Sequence, residues 1–167
     1  LVSKSGRDIP IMISSSTQAE LDNLYGLSKR AAEEALLKLK REQGNTVYIY
    51  RLPNVFGKWS RANYNSAVAT FCHNIAHDLP ITINDPLAKL NLVYIDDVVA
   101  EFVDILTLGG DNADVYQHVA PVYQTTVGDL ADIIESFKDS IVSGITPRVG
   151  TGLVRALYST YLSFLPL

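Results

Sequence analysis

Apolar and polar positions along this chain alternate between two spacings, which predicts strands and helices in turn. A short apolar run over residues 9–13 predicts a buried parallel strand that ends in the polar stretch 14–17. Over residues 25–43 the apolar positions recur at helical spacing, and Gly44 follows where a C-terminal cap is expected. The β-branched and aromatic segment 46–50 predicts the next strand. This order is typical of an α/β fold with a parallel sheet.

The rest of the chain continues this alternation less regularly. Residues 51–57 are expected to form a loop, and residues after 140 are rich in glycine and proline and end in an apolar tail, 157–165, without a clear helical face. The acidic pair Asp96-Asp97 is expected to cap a helix, and a carboxylate pair with a chemical role is the alternative. The remaining pattern predicts helices over residues 66–76, 98–108 and 126–137, and strands over residues 81–83, 90–95 and 115–119.

The composition fits one domain with a core of ordinary size, since 47% of its 167 residues are hydrophobic. With a net charge of -4 and no basic stripe, the chain is not expected to bind nucleic acid. No apolar run approaches the roughly 20 residues that span a bilayer, so no membrane partner is expected. The single cysteine, Cys72, lies in an apolar stretch and is expected to be buried in a reducing, cytoplasmic protein. His73 and His77 have no evident third ligand, so we predict no metal site.

The strongest chemical signal is the pair Tyr25 and Lys29, which opens the long predicted helix. A spacing of four residues places the phenol and the ammonium on one helical face, where the positive charge favours the tyrosinate form. An isolated phenol is a poor acid or base at neutral pH, so a proton-transferring tyrosine needs such a neighbour. A serine hydroxyl from the preceding polar stretch would polarise a carbonyl beside the phenol. This arrangement is typical of ketone reduction or alcohol oxidation.

A tyrosine and a lysine four residues apart also occur together by chance, and the pair alone is weak evidence. The order of the surrounding motifs adds specificity: an apolar strand, Ser-Ser-Ser, Tyr-Gly-Leu-Ser-Lys, a long helix, a strand, and Arg51-Leu-Pro-Asn54-Val-Phe-Gly57. This order resembles the extended short-chain dehydrogenase/reductases, the NAD-dependent epimerase/dehydratase family. The resemblance implies the C-terminal part of a Rossmann-like NAD(P)-binding domain with a parallel sheet, plus a small substrate-binding subdomain.

The resemblance also implies roles for the residues around the pair. Tyr25 would be the general acid or base. Lys29 would hydrogen-bond the nicotinamide ribose and favour the ionised form of Tyr25. Ser16, the last residue of the serine triplet, would hold the reacting oxygen, with Ser15 as the alternative.

Other positions would contact the cofactor and the substrate. Leu52 and Pro53 would line the nicotinamide side, and Asn54 matches a position that contacts the nucleotide-sugar diphosphate. Where the family has a diphosphate-binding arginine, this chain has Leu90, with Lys89 beside it. Lys89 would supply a point charge where arginine offers a bidentate fork.

Residues 45–59, 63–72 and 157–166 resemble more narrowly the reductase domain of capsular polysaccharide biosynthesis enzymes. That resemblance implies reduction of the 4-keto group of a UDP-2-acetamido-2,6-dideoxy-hexulose, towards UDP-N-acetyl-L-fucosamine for capsule or O-antigen. NADPH would be the cofactor, with NADH as the alternative. It also implies a zinc-binding cupin domain downstream in the same protein, and the wider family resemblance implies a homodimer that pairs through the helix of Tyr25 and its successor.

The glycine-rich loop that holds the dinucleotide pyrophosphate in this family does not occur in the sequence. Neither Gly109-Gly110 nor the glycines at 150 and 152 follow a predicted strand and open a helix, so neither replaces that loop. We therefore expect residues 1–167 to be a partial domain that is inactive alone and whose dinucleotide-binding half lies upstream. A non-catalytic redox-sensing or regulatory protein on the same scaffold is the alternative, although such proteins typically lose the tyrosine and lysine pair.

Overall fold

The computed structural model describes residues 9–108, 114–145 and 147–166, which divide into two compact units. The first unit contains the described residues up to Pro53 together with those of Ala100–Ala120, and the second contains those of Asn54–Val99 and Pro121–Leu167. Five α-helices and six strands lie in the described residues, which confirms the predicted α/β class. No helix in this part of the chain is long and apolar enough to cross a membrane.

The first unit is built on a parallel sheet of three strands. In the order of the sheet these are β1 (Ile11–Ser16), β2 (Val47–Leu52) and β5 (Tyr116–Gln117). β2 lies in the centre and is almost entirely buried, as expected of a strand covered on both faces. The predicted parallel pair is confirmed, but both strands begin and end later in the sequence than predicted. β1 includes all three serines because their backbone groups continue the ladder with β2.

The helix α1 (Leu24–Gln43) connects β1 to β2 and carries Tyr25 near its start. Asn23 caps it, since its Oδ1 accepts a hydrogen bond from the Gly26 N–H at 2.7 Å. Gly44 ends it in the left-handed conformation at φ 73°, which glycine adopts without the steric cost of a side chain. The predicted helix and its C-terminal cap are therefore confirmed.

The second unit has its own sheet and an apolar core. β4 (Lys89–Tyr94) lies between β3 (Asn54–Phe56), to which it is parallel, and β6 (Tyr123–Thr126), to which it is antiparallel. The helices α2 (Ala67–Ala76), α4 (Val127–Ser143) and α5 (Leu153–Leu162) pack their apolar faces together. The buried core side chains are Phe56, Val68, Phe71, Cys72, Ile75, Leu92, Leu130, Ala131, Ile134, Phe137, Ala156, Leu157 and Tyr161.

Several predicted elements differ from the structure. Residues 51–57 do not form one loop, because they complete β2 and form β3, and residues 81–83 belong to no strand. The apolar tail was wrongly predicted to lack a helical face: α5 begins at Leu153, and its buried side follows from there. α3 (Ile95–Leu108) begins directly after β4, so Asp96 and Asp97 lie in its first turn rather than before it. Gly109 and Gly110, predicted to end this helix, lie outside the described residues.

Candidate active site

Tyr25 and Lys29 lie together at the solvent-accessible start of α1. Tyr25 is 48% exposed, and the Lys29 Nζ lies 5.6 Å from the centroid of its ring. The same ammonium donates a 3.4 Å hydrogen bond to the Ser14 carbonyl oxygen near the end of β1. The predicted pairing on one helical face is therefore observed, and it is placed against the carboxyl end of a parallel strand.

The serines at the end of β1 have different environments because successive side chains of a strand point to opposite faces. Ser15 is buried, and its hydroxyl donates a hydrogen bond to the Glu33 carboxylate. Ser16 is partly exposed, and its hydroxyl oxygen accepts a 3.2 Å hydrogen bond from the Gln18 N–H. The Ser15 hydroxyl therefore acts as a hydrogen-bond donor to Glu33, whereas the Ser16 hydroxyl acts as an acceptor from Gln18.

The turn between β1 and α1 is held by an arginine of the helix itself. After β1 the chain forms a 3-10 helix (Thr17–Glu20) and then reaches α1. The Arg30 Nε donates to the Ala19 carbonyl oxygen at 2.9 Å, and its Nη2 donates to the Leu21 carbonyl oxygen at 3.3 Å. These bonds fix the path of the main chain that leads to Tyr25.

Gly26 allows this turn to pack closely on the first turn of α1. A Cβ at this position would overlap the carbonyl oxygens of Gln18 and Leu21. Any other residue at position 26 would therefore push the turn away from the helix. Because Gly26 directly follows Tyr25, such a shift would act on the candidate catalytic side chain.

A buried carboxylate lies one helical turn beyond Lys29. Glu33 is 1% exposed, and its Oε2 lies 2.6 Å from the Arg51 Nη2, while the Arg51 Nε lies 3.1 Å from each carboxylate oxygen. The same carboxylate accepts the hydroxyl of Ser15 and, at 3.4 Å, that of Tyr116. Every polar side-chain atom buried in the described part of the chain has a hydrogen-bond partner. We call the side chains of Glu33, Arg51, Ser15 and Tyr116 the Glu33 network.

The Glu33 network keeps its carboxylate ionised. Burial raises the pKa of Glu33, but the hydrogen bonds from Arg51 and Ser15 and the charge of Arg51 outweigh burial, so the pKa lies below its usual value. The same hydrogen bonds act in the opposite direction on Arg51, whose pKa is raised because Glu33 stabilises its positive charge. The Arg51 guanidinium also lies 4.6 Å from the Tyr116 ring centroid and pairs with the exposed Glu20 at 3.0 Å. Sequence reasoning missed this network, because a Glu-Glu pair on a polar helix is typical of a solvated surface.

The residues predicted to contact the cofactor lie at the same end of the first unit's sheet. Leu52 is the last residue of β2 and is paired in register with Ser16, and Pro53 follows it. The residues predicted to contact the substrate, Asn54 and Lys89, belong to the second unit. They begin β3 and β4, and both are exposed.

The second unit has a polar cluster of its own at the start of α3. The Lys58 Nζ lies 3.0 Å from the Asp96 Oδ2 and 5.9 Å from the Tyr94 ring centroid, and the hydrogen bond to Asp96 raises the pKa of Lys58. Burial, followed by the charge of Asp96, raises the pKa of Asp97. The ion pair between Asp96 and Lys58 was not predicted. The cluster borders a cavity of about 320 Å³, which is also lined by Tyr123, Gly152, Arg155, Ala156 and Ser159.

His73 of α2 and His77, which follows the last residue of that helix, interact with each other. The rings of His73 and His77 stack with their centroids 4.4 Å apart. Their Nδ1 atoms lie 3.1 Å from the Asn74 Oδ1 and 2.8 Å from the His73 carbonyl oxygen, respectively. Among the residues that the structure describes, no group of three or more His, Cys, Asp or Glu side chains could hold a metal ion.

Two comparisons by sequence agree on the kind of protein that this chain resembles. The profile of the NAD dependent epimerase/dehydratase family matches residues 4–117. Over 165 residues the chain is 60% identical to a UDP-2-acetamido-2,6-beta-L-arabino-hexul-4-ose reductase from Pseudomonas aeruginosa. This match covers 99% of the chain and 44% of the relative.

Solved structures are similar over nearly the whole chain. The capsular polysaccharide assembling protein CapF from Staphylococcus aureus matches with a TM-score of 0.92 and 41% identity, over 99% of this chain and 46% of that one. RMD from Pseudomonas aeruginosa, complexed with NADPH, matches with a TM-score of 0.77 over 98% of this chain and 69% of that one. At 16% identity the second likeness shows the fold alone. The chain spans less than half the length of both the reductase and CapF.

Proposed function

Because the chain belongs to the NAD dependent epimerase/dehydratase family, we propose that it is the catalytic part of a nicotinamide-dependent nucleotide-sugar reductase. The substrate is a UDP-linked 4-keto-6-deoxy amino sugar, on the route to UDP-N-acetyl-L-fucosamine. Support for this class of substrate comes from the 60% identity to a UDP-hexulose reductase and from the likeness to CapF. The non-catalytic alternative has no comparable support, and the chain retains both Tyr25 and Lys29.

The observation that carries the proposal is the placement of the Lys29 ammonium between the Tyr25 ring and the end of β1. A cation at this position stabilises the tyrosinate that forms when the phenol gives up its proton. Tyr25 is half-exposed, so a substrate carbonyl can reach its hydroxyl. A buried tyrosine bonded to the main chain would have favoured a structural role.

The reaction adds a hydride and a proton to the substrate carbonyl. A bound NADPH, or alternatively NADH, would supply the hydride to the carbonyl carbon. The Tyr25 hydroxyl donates its proton to the carbonyl oxygen, which becomes the new alcohol, and Lys29 stabilises the remaining tyrosinate. The Ser16 hydroxyl donates a hydrogen bond to the same oxygen and stabilises the negative charge that develops there.

Ser16 suits this role better than Ser15. The Ser16 oxygen accepts from the Gln18 N–H, which orients the hydroxyl and does not use its proton. The Ser15 hydroxyl donates to Glu33 and is buried. We therefore assign Ser16 to the reacting oxygen and Ser15 to the Glu33 network.

The residues at the end of the first unit's sheet fit a nicotinamide. In this proposal Leu52, which is buried and paired in register with Ser16, and the partly exposed Pro53 form the apolar side of the site, and Lys29 offers a donor to the ribose hydroxyls. In this proposal a glycine-rich loop outside this sequence holds the pyrophosphate. More than half of the Pseudomonas aeruginosa reductase lies outside the match, which leaves room for such a segment.

Replacing Tyr25 by phenylalanine in the full-length protein tests the function. The Tyr25→Phe variant should lose NADPH-dependent reduction of the UDP-linked 4-keto sugar by about 10²- to 10⁴-fold and retain its cofactor affinity, because only the proton donor is removed. Lys29→Ala should lower turnover and cofactor affinity together, since it removes both the cation and a ribose contact. Absorbance of NADPH gives turnover, and a titration gives affinity.

A matched control removes a phenol hydroxyl that has no part in the proposed chemistry. Tyr158 of α5 packs its ring against Phe137 in the core of the second unit, so Tyr158→Phe should retain turnover. If Tyr25→Phe turned over at the wild-type rate, the Tyr25 and Lys29 pair would be structural and the proposed function would be wrong.

A further inference from the structure

We infer that Glu33 and Arg51 are positioning residues, which align the helix carrying Tyr25 and Lys29 with Ser16 at the end of β1. The inference rests on the proposed function, because it concerns the geometry of the same proton transfer. It assigns a role to a buried carboxylate that the proposed reaction does not itself use.

Glu33 anchors the buried end of the helical strip that bears the reacting groups. Tyr25, Lys29 and Glu33 follow one another at intervals of four residues, so they lie along one side of α1. The strip passes from a half-exposed tyrosine to a carboxylate that is 1% exposed. The distance from Tyr25 to Glu33 along the helix axis is about 12 Å, at 1.5 Å per residue. A rotation or slide of α1 at Glu33 is therefore transmitted to Tyr25.

The contacts of Glu33 restrict such a movement from three directions. Its carboxylate accepts hydrogen bonds from Ser15 of β1, Arg51 of β2 and Tyr116 of β5. The Arg51 Nε and Nη2 contact both carboxylate oxygens, at 2.6–3.1 Å. A bidentate, charge-assisted pair fixes orientation as well as distance, so α1 cannot turn over the sheet without breaking it.

The three serines of β1 make different contacts. The carbonyl of Ser14 accepts from Lys29, and the hydroxyl of Ser15 donates to Glu33. Because the directions of successive strand side chains are coupled, fixing Ser15 on Glu33 also fixes the direction of the Ser16 side chain. The positions of Lys29 and Ser16, which are the cation and the oxyanion donor of the proposed reaction, therefore both depend on how α1 packs on β1.

Stability alone is a weak reason to keep such a pair buried. Two charges lose hydration on burial, and apolar side chains of similar volume often stabilise a protein as well or better. What apolar packing lacks is the fixed direction of a bidentate pair. The full set of hydrogen bonds on Glu33 therefore indicates a requirement for orientation.

The test replaces Glu33 by glutamine in the full-length protein, and Glu34→Gln serves as the matched control. Glutamine keeps the shape but removes the charge and one acceptor oxygen, whereas the neighbouring Glu34 is exposed. Turnover is expressed per NADPH-binding site, counted by titration, so that loss of folded protein does not count as loss of turnover. Glu33→Gln should lower kcat per site by about 10- to 100-fold, the cost of misplacing reacting groups by about 1 Å. Glu34→Gln should match the wild type.

Ser15→Ala provides a second variant that leaves no buried charge unpaired and so keeps the fold. It should lower kcat per site by less than Glu33→Gln does, with the number of binding sites unchanged. Wild-type kcat per site in this variant would overturn the inference, as would a loss in Glu33→Gln that came entirely from fewer binding sites. A loss in Ser15→Ala as complete as that in Tyr25→Phe would also overturn it, since Ser15 would then contact the substrate.

The wild type and Tyr25→Phe, assayed in the same series, separate the two proposals. An active wild type with an inactive Tyr25→Phe supports the function, and unchanged turnover in Glu33→Gln then overturns only the positioning role. An inactive wild type would overturn both.

Discussion

Replacing Gly26 by alanine should destabilise the chain, although alanine is the better helix former. Inside a helix this substitution normally stabilises by roughly 0.5–1 kcal/mol. Here the added methyl group would overlap the carbonyl oxygens of Gln18 and Leu21. These oxygens belong to the main chain and are held in place: the Leu21 N–H donates to the Gln18 oxygen at 2.9 Å, and Arg30 donates to the Leu21 oxygen at 3.3 Å.

The expected loss follows from the balance of these two effects. Adding a methyl group to a packed region costs about 1–3 kcal/mol, and the upper half applies here because a hydrogen-bonded turn must move rather than a side chain. Subtracting the helical gain of roughly 0.5–1 kcal/mol leaves a loss of about 1–2.5 kcal/mol in the free energy of unfolding.

Urea denaturation of the chain, followed by circular dichroism, measures this difference. The control is Ser28→Ala, an exposed position two residues further along α1, which should be neutral or stabilising by a few tenths of a kcal/mol because alanine is the better helix former. A Gly26→Ala variant as stable as the wild type would refute the reasoning. It would mean that the turn in front of Tyr25 moves without cost.

Two further predictions concern buried titratable groups. Burial raises the pKa of Glu33, but Arg51 and Ser15 bring it below the ordinary value of 4.5, so the stability that the network contributes is present above that value and is lost as the pH falls through the lower folded pKa. Urea midpoints between pH 7 and pH 3 should fall more in the wild type than in Glu33→Gln, and equal falls would contradict the assignment. Burial also raises the pKa of Cys72 to about 12, so the folded chain should resist alkylation by iodoacetamide at pH 8 and react after unfolding in urea. Equally fast reaction of the folded chain would show that the thiol is accessible.

The elements that sequence predicts best are those whose own pattern is sufficient to define them. α1 has a long helical period and a glycine cap, so its C-terminal end was predicted correctly. The tail was misread because the face of α5 begins at Leu153, whereas the predicted segment started four residues later and contained only part of that face. Residues 51–57 were misread because proline and glycine favour a loop, while the strand pairings that define β2 and β3 come from distant segments.

The same distinction applies to the candidate site. Tyr25 and Lys29 belong to one helix, so their spacing alone was enough to predict that they meet. Glu33 meets Arg51 only because α1 and β2 pack together, and no local pattern separates it from its exposed neighbour Glu34. Contacts between different helices and strands were therefore the part of the site that could not be predicted from the sequence.

The contacts of Arg30 and Gly26 with the turn before Tyr25 have a consequence for how this protein can evolve. Arg30 binds carbonyl oxygens at positions 19 and 21, and Gly26 makes room for carbonyl oxygens at positions 18 and 21. Every residue type supplies a carbonyl oxygen, so these contacts do not depend on which side chains the turn carries. Mutations can therefore accumulate on the outer surface of the turn, while the path of the main chain into α1 is inherited unchanged.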